Sequence, residues 1–82
     1  MNLDNPFAGK SVAVTGTLVN YTRAEINARL LELGAKPVSA VSTRTDYLIV
    51  GERHGSKLGK ARLLGITILS EREFEDMAGQ HR

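Results

Sequence analysis

The feature that most constrains the fold is an apolar run that ends in a glycine, Val12-Ala13-Val14-Thr15-Gly16. Such a run indicates a strand that is buried on both faces, as in a parallel sheet covered by helices. In an open sheet of this kind, ligands bind beyond the carboxyl ends of the strands. Thr15 offers a hydroxyl there, and Gly16 offers an amide N–H that no Cβ shields. The run therefore predicts an α/β sheet with an anion pocket suited to a phosphate, although the same two residues also suit a plain tight turn.

Three helices are predicted from their capping residues. Thr22-Arg23-Ala24-Glu25 and Ser70-Glu71-Arg72-Glu73 are capping boxes, in which the hydroxyl and the carboxylate each accept a backbone N–H. Ser56 caps the helix between them. Gly34 and Gly65 follow the last apolar residues of the first and second helices, which is where left-handed terminators are found.

Four strands are predicted around these helices. Lys10–Thr15 and Tyr47–Val50 are the two strongly apolar strands, and Lys36–Ser39 and Ile66–Leu69 are the other two. Pro37 places the second strand at an edge of the sheet. The resulting order is β-α-β-β-α-β-α. Because helical crossovers join the strands, this order predicts a mostly parallel sheet with helices on both faces.

Composition excludes several classes of function. The 82 residues suffice for one domain, 1–82, with a core expected over about 7–78. The chain has no cysteine and only two histidines, His54 and His81, so we expect no metal site and no cofactor. No nucleophile–base pair is visible, which argues against an enzyme. No apolar run approaches the roughly 20 residues of a membrane span, and the N-terminus lacks the charged-then-apolar order of a signal peptide. The absence of cysteine fits a reducing cytoplasm.

Basic residues could still bind an anion locally, although the net charge is only +2. Lys57 and Lys60 lie at the predicted start of the second helix and project from one face. A helix N-terminus carries about half a positive charge, so two lysines there are unfavourable unless an anion binds. The alternative is an ordinary solvated face.

Arg23 stands in the same position on the first helix, and its planar guanidinium suits a phosphate. Because the two strongly apolar strands both belong in the middle of the sheet, the first and third strands should lie side by side. Their carboxyl ends and the helices that follow them then share one edge. We therefore predict that Arg23, Lys57 and Lys60 converge on Thr15 and Gly16. Taken alone, Arg23 would be an ordinary surface arginine.

Acidic residues at the start of the third helix are interpreted differently. Carboxylates are stabilised at a helix N-terminus without any ligand, so we interpret these residues as solvated. They are Glu71, Glu73, Glu75 and Asp76.

Taken together, the motifs resemble the BRCT domain over about residues 7–77. The motifs that carry the resemblance are Phe7-Ala8-Gly9-Lys10, Val14-Thr15-Gly16-Thr17-Leu18, Thr22-Arg23-Ala24-Glu25, Leu33-Gly34-Ala35-Lys36, Thr45-Asp46-Tyr47-Leu48-Ile49-Val50-Gly51, Gly55-Ser56-Lys57-Leu58-Gly59-Lys60-Ala61, Leu64-Gly65-Ile66 and Glu73-Phe74. The chain is most similar to the C-terminal BRCT domain of bacterial NAD-dependent DNA ligases, and is also similar to that of the clamp-loader large subunit. The resemblance implies a three-layer fold whose four-stranded parallel sheet has the order 2-1-3-4. The first and third helices would lie on one face and the second on the other.

The resemblance also implies a role. In the clamp-loader type, the domain binds the 5′-phosphate of duplex DNA, and the residues that do so fall on Thr15, Gly16, Arg23, Lys57 and Lys60. Secondary candidates for the same phosphate are Thr17, Ser56 and His54. In tandem BRCT proteins, the positions like Thr15, Gly16 and Lys57 hold a phosphoserine instead. A module that recognises a phosphopeptide or a partner domain is therefore the alternative.

We accordingly expect a non-catalytic module of a DNA ligase or another replication or repair enzyme. Its expected partner is DNA with 5′-phosphorylated ends or nicks, together with protein partners or other domains of the parent enzyme, and no membrane. The expected location is the bacterial cytoplasm, at the nucleoid. Two departures from the family pattern leave the pocket untouched. Phe74 stands where many members have a tryptophan, and Gly34-Ala35 replaces a pair of glycines.

Overall fold

The computed structural model describes residues 6–53, 55 and 57–79. Seven elements follow in the predicted order. They are β1 (Ser11–Thr15), α1 (Arg23–Glu32), β2 (Lys36–Val38), β3 (Tyr47–Val50), α2 (Lys57–Leu64), β4 (Thr67–Ser70) and α3 (Glu71–Gly79). No helix in the described part of the chain is long and apolar enough to cross a bilayer.

The four strands form one parallel sheet in the order β2-β1-β3-β4. This is the predicted order, and it places β1 and β3 side by side in the middle. Thr15 pairs with Val50 at the carboxyl edge, and Val50 pairs in turn with Ser70. Pro37 lies in the edge strand β2, where its missing N–H costs no bond to a further strand.

The larger core lies on the face covered by α1 and α3. Phe74 of α3 packs against Phe7, with ring centroids 5.2 Å apart, and Phe7 meets Tyr47 at the same distance. Ile26 and Leu30 of α1 are fully buried in the same cluster. The side chains of α1 and α3 thus meet those of the central strands, which fixes both helices on one face.

A smaller core lies on the opposite face, beneath α2. Its buried residues are Ala13, Val41, Leu48 and Ala61. Val41 lies in the connection between β2 and β3, which the sequence presents as polar, yet it is only 2% exposed. Thr45 holds that connection, because its hydroxyl accepts the Ser42 N–H at 3.0 Å and donates to the Ala40 carbonyl at 3.2 Å.

Both predicted capping boxes are present. The Thr22 hydroxyl accepts the Glu25 N–H at 3.1 Å, and the Glu25 carboxylate accepts the Thr22 N–H at 2.8 Å. Ser70 and Glu73 make the same reciprocal pair at 3.1 and 2.9 Å. β4 begins one residue later than predicted, because the Ile66 N–H is used by the Ala61 carbonyl at the end of α2.

Candidate anion-binding site

The carboxyl end of β1 presents two polar groups that are free to meet a ligand. Thr15 is 6% exposed, and its carbonyl accepts the Gly51 N–H at 2.8 Å. Its hydroxyl has no hydrogen-bond partner among the residues that the structure describes. The amide N–H of Gly16 is likewise unpaired within the described part of the chain. A buried hydroxyl without a partner is costly, so a ligand that accepts a hydrogen bond here would be stabilised.

Gly16 is also required by the backbone. Its φ of +81° lies in the left-handed region, and an added Cβ would stand 2.5 Å from the Glu52 carbonyl oxygen. The neighbouring Thr17 exchanges two hydrogen bonds with Glu52, at 2.7 and 2.8 Å. The tight turn, which the sequence offered as the alternative to an anion pocket, is therefore present. The same turn leaves the Gly16 N–H unpaired in the described part of the chain.

Gly51 completes this junction and was not identified from the sequence. An added Cβ at Gly51 would overlap the Thr17 carbonyl and stand 2.9 Å from Leu18 Cδ2. The loop after β1 and the loop after β3 thus press against each other at two glycines. The sequence does not predict this contact between the two loops, because Gly51 looks like any other glycine that ends a strand.

Arg23, the first residue of α1, turns back onto the end of β1. Its Nη1 donates to the Val14 carbonyl at 3.3 Å. Arg23 lines a cleft of about 210 Å³ together with Gly16 and Thr17, and the apolar wall of that cleft includes Leu18. The structure therefore brings Arg23 to the Thr15–Gly16 end of the strand, and Thr17 lies beside it as an exposed residue.

Lys57, the first residue of α2, approaches the same edge from the other face of the sheet. Its Nζ donates to the Ser39 carbonyl at 2.8 Å, and the side chain is half-buried. Ala13 pairs with Val38, so Ser39 stands level with Val14. Adjacent strands are about 4.8 Å apart. Arg23 and Lys57 therefore bind carbonyl groups at matching positions of neighbouring strands.

Lys60 lies one turn further along α2 and is exposed. The helix contains no acidic residue. Among the described residues, the ion pair is Arg29 with Glu32 at 3.8 Å, so Arg23, Lys57 and Lys60 have no carboxylate partner there. The charges of these three cations are therefore not neutralised by a direct ion pair in the described part of the chain.

The solvated interpretation of the α3 carboxylates is wrong for two of them. Glu71 is half-buried, and its two carboxylate oxygens accept the N–H groups of Val19 and Asn20, each at 2.7 Å. Glu75 accepts the side-chain amide of Asn20 at 3.0 Å. Glu73 and Asp76 are exposed, as expected.

Two secondary candidates, His54 and Ser56, lie outside the described residues. In the part of the chain that is described, no three potential metal ligands cluster.

Tyr21 also lines the cleft, and its ring stands edge-on to Phe74 with centroids 6.1 Å apart. Burial raises the pKa of its phenol above the usual 10.0, and the carboxylates of Glu75 and Glu71 act in the same direction, while Arg29 opposes them. The phenol is therefore neutral at physiological pH.

Comparisons with known proteins identify the family of the chain. A family model described as the BRCA1 C Terminus (BRCT) domain matches residues 2–78. The chain is 59% identical over 75 residues to a DNA ligase of Clostridium perfringens strain SM101, and 55% identical over 76 residues to a DNA ligase of Rhodospirillum rubrum. These alignments cover 92% and 93% of this chain but 11% of each ligase, so the chain matches only a small part of those enzymes.

Among solved structures, the crystal structure of S. pombe Rad4 BRCT3,4 matches with a TM-score of 0.74. The match covers 90% of this chain and 42% of that chain, at 16% sequence identity. At that identity the likeness concerns the fold alone.

Proposed function

This chain belongs to the BRCT family, and on that premise we propose that it binds DNA ends and nicks through a 5′-phosphate without catalytic activity of its own. One observation carries the proposal. The free Thr15 hydroxyl and Gly16 amide lie at an edge where Arg23 and Lys57 are held by backbone carbonyls and have no carboxylate partner in the described part of the chain. Neutral donors flanked by unpaired cations are the arrangement that a phosphate requires.

The residues of the proposed pocket make different contacts with the DNA, according to their positions. Thr15 and Gly16 donate neutral hydrogen bonds, each worth about 0.5–1.5 kcal/mol net. Lys57 stands at the start of α2, where the helix dipole adds to its own charge, so it would contact the terminal phosphate directly. Lys60 is exposed and would follow a neighbouring phosphate of the duplex. Arg23 reaches the same edge from α1 and would do likewise.

The parent protein is proposed from the relatives. They are DNA ligases of which this chain matches 11% of the length. We propose that the chain serves an NAD-dependent DNA ligase, or another replication or repair enzyme, by holding it at DNA ends. With bacterial relatives and DNA as ligand, its place would be the cytoplasm, at the nucleoid. Contacts with other domains of the parent enzyme would add to those with DNA.

A comparison of two duplexes tests the proposal. A terminal phosphate has more charge than an internal phosphodiester and a free face that the latter lacks. Charge-assisted hydrogen bonds of about 1.5–3 kcal/mol each would make the 5′-phosphorylated duplex bind tenfold or more tightly than the same duplex with a 5′-hydroxyl. Fluorescence anisotropy at several salt concentrations measures the ratio. Equal affinities at every salt concentration would contradict the proposal.

A phosphoserine peptide is the third ligand of that experiment, since the alternative function is recognition of a phosphopeptide or a partner domain. Thr15, Gly16 and Lys57 would suffice for a phosphoserine, whereas Arg23 adds a second cation that reaches the same edge from the other face of the sheet. That second cation favours a ligand with several phosphates along its length. Tighter binding of the peptide than of the phosphorylated duplex would select the alternative.

A further inference from the structure

A carboxylate from the last helix holds the loop that follows β1. Oε1 of Glu71 accepts the Val19 N–H and Oε2 accepts the Asn20 N–H, both at 2.7 Å. Such distances are typical of strong, charge-assisted hydrogen bonds. Glu75, one turn later in α3, accepts the side-chain amide of Asn20 at 3.0 Å. Two successive amides of the loop are therefore fixed by a residue more than fifty positions away in the chain.

The middle of this loop depends on those bonds. The Val19 side chain is 75% exposed, so it contributes little packing. The loop starts at Thr17, which is tied to Glu52, and it ends at Thr22, which caps α1. Leu18 is buried between them. Among the described residues, Glu71 thus supplies the tertiary hydrogen bonds to the backbone at Val19 and Asn20, in the segment that connects the Gly16 turn to Arg23.

We infer that Glu71 is a positioning residue for the phosphate site. It touches no ligand, but it fixes the loop whose two ends present Gly16 and Arg23. The inference rests on the proposed function, because it assigns Glu71 a role in that same site. The assignment also explains why half-buried Glu71 reaches across to the loop, whereas exposed Glu73 bonds within its own capping box.

The negative charge of Glu71 is stabilised where it stands. It is the first residue of α3, where the helix dipole favours an anion, and both of its oxygens accept amide N–H groups. The carboxylate therefore opposes a nearby phosphate less than a free carboxylate would. Replacing it with a neutral residue should weaken the phosphate preference, which is the opposite of what removal of a repelling charge would do.

The test compares Glu71→Gln with Glu73→Gln. Both variants remove one negative charge from the first turn of α3, and both weaken a hydrogen bond to a backbone N–H. Glu73 bonds to Ser70 within its own capping box and does not touch the loop, so it is the matched control. Glu71→Asp keeps the charge but withdraws the carboxylate by one methylene, and it provides the test if Glu71→Gln does not fold.

Two measurements are made on the 82-residue chain. The first is amide hydrogen exchange at Val19 and Asn20, which should accelerate about tenfold or more in Glu71→Gln and stay unchanged in Glu73→Gln. The second is the ratio of affinities for duplexes with a 5′-phosphate and a 5′-hydroxyl. Glu71→Gln should lower this ratio about fivefold, the effect of one lost hydrogen bond. Glu73→Gln should leave the ratio as it is.

The outcomes separate the inference from the proposed function. If the unaltered chain shows no preference for the 5′-phosphate, the proposed function is wrong, and the inference is wrong with it. If the unaltered chain prefers the phosphate and Glu71→Gln keeps the full ratio, only the inference is overturned. Unchanged exchange at Val19 and Asn20 would show that Glu71 does not hold the loop, and would overturn the inference. A ratio that falls equally in Glu73→Gln would assign the effect to charge and contradict the inference.

Discussion

At the scale of single residues, the two lysines of α2 have the same charge but different surroundings. Lys57 is half-buried and its ammonium already has a fixed position on the Ser39 carbonyl, so little side-chain entropy remains to be lost when an anion arrives. Lys60 is exposed. The difference predicts separate effects on affinity and on selectivity.

We expect Lys57→Ala to abolish the preference for a 5′-phosphate, because it removes the half-buried cation at the start of α2, where the helix dipole adds to its charge. Lys60→Ala removes the same charge from an exposed position and should weaken binding to both duplexes equally. Arg23→Ala is expected to do likewise. Lys60→Ala and Arg23→Ala should each flatten the log–log dependence of affinity on salt by about one unit. Anisotropy titrations with both duplexes measure these effects. A full preference in Lys57→Ala would place the anion site elsewhere.

Tyr21 makes stability depend on pH at the alkaline end. Its folded-state pKa is raised above 10.0, first by burial and then by Glu75 and Glu71. Its contribution is therefore complete below the unfolded-state pKa and is lost as the pH rises through the folded-state pKa. Tyr21→Phe keeps the ring but has no proton to lose.

The free energy of unfolding of both proteins should be measured in urea between about pH 8 and about pH 11. We expect the unaltered chain to lose stability relative to Tyr21→Phe as the pH passes about 10. The titration of lysines cancels in the difference between the two proteins. A difference that stays constant over this range would show that burial does not shift the phenol.

At the scale of elements, the site depends on the junction of two loops. The loop after β1 and the loop after β3 meet at Gly16 and Gly51, and Thr17 and Glu52 exchange two hydrogen bonds there. The first loop presents the free amide, and the second leads to Lys57. The junction therefore fixes the turn that presents the Gly16 amide against the loop after β3.

Gly51→Ala should damage both stability and the site. The added Cβ would overlap the Thr17 backbone, which cannot move without separating the loops. We expect a loss of about 1–3 kcal/mol in the free energy of unfolding, and a weaker preference for the 5′-phosphate. Gly59→Ala is the control, because nothing lies within 4 Å of a Cβ at that position of α2. It should stabilise the helix by up to about 1 kcal/mol. If Gly51→Ala and Gly59→Ala had the same melting temperature, the close contact between the two loops at Gly51 would be contradicted.

At the scale of the whole molecule, the two faces of the sheet contribute unequally. The face under α1 and α3 buries Phe7, Phe74, Ile26 and Leu30, whereas the face under α2 buries small residues such as Ala13 and Ala61. A domain of this size has only a few kcal/mol of net stability. We therefore expect substitutions in the aromatic cluster around Phe74 to lower the free energy of unfolding more than substitutions elsewhere in the core.

Phe74→Ala should cost about 3–5 kcal/mol, because it leaves a cavity beside Phe7 and Tyr21. Such a loss approaches the whole stability of a small domain, so the variant should be largely unfolded at 37 °C. Leu63→Ala serves as control, since Leu63 is 89% exposed on α2 and its removal should change the melting temperature little. Thermal unfolding followed by circular dichroism distinguishes them. If Phe74→Ala melts like the unaltered chain, α3 is not part of the core.

The sequence by itself determined the elements and their order. Apolar runs, the two capping boxes and Pro37 are local signals, and each acts within a few residues of itself. The crossover rule then converts the order of elements into a parallel sheet, and the two strongly apolar runs place β1 beside β3 in its middle, as observed. The predicted family is confirmed as well, because the BRCT family model matches residues 2–78 and a DNA ligase is 59% identical over 75 residues.

Only the tertiary structure decided how the candidate site is held. The Ser39 carbonyl that binds Lys57 is 18 residues away, and the two amides that bind Glu71 are 52 and 51 residues away. The Gly16–Gly51 contact depends on the same folding of distant loops. In each case the partner is a backbone group, which every residue possesses, so the sequence shows no complementary side chain that could reveal the pair. These contacts exist only once the sheet brings the carboxyl ends of its strands together.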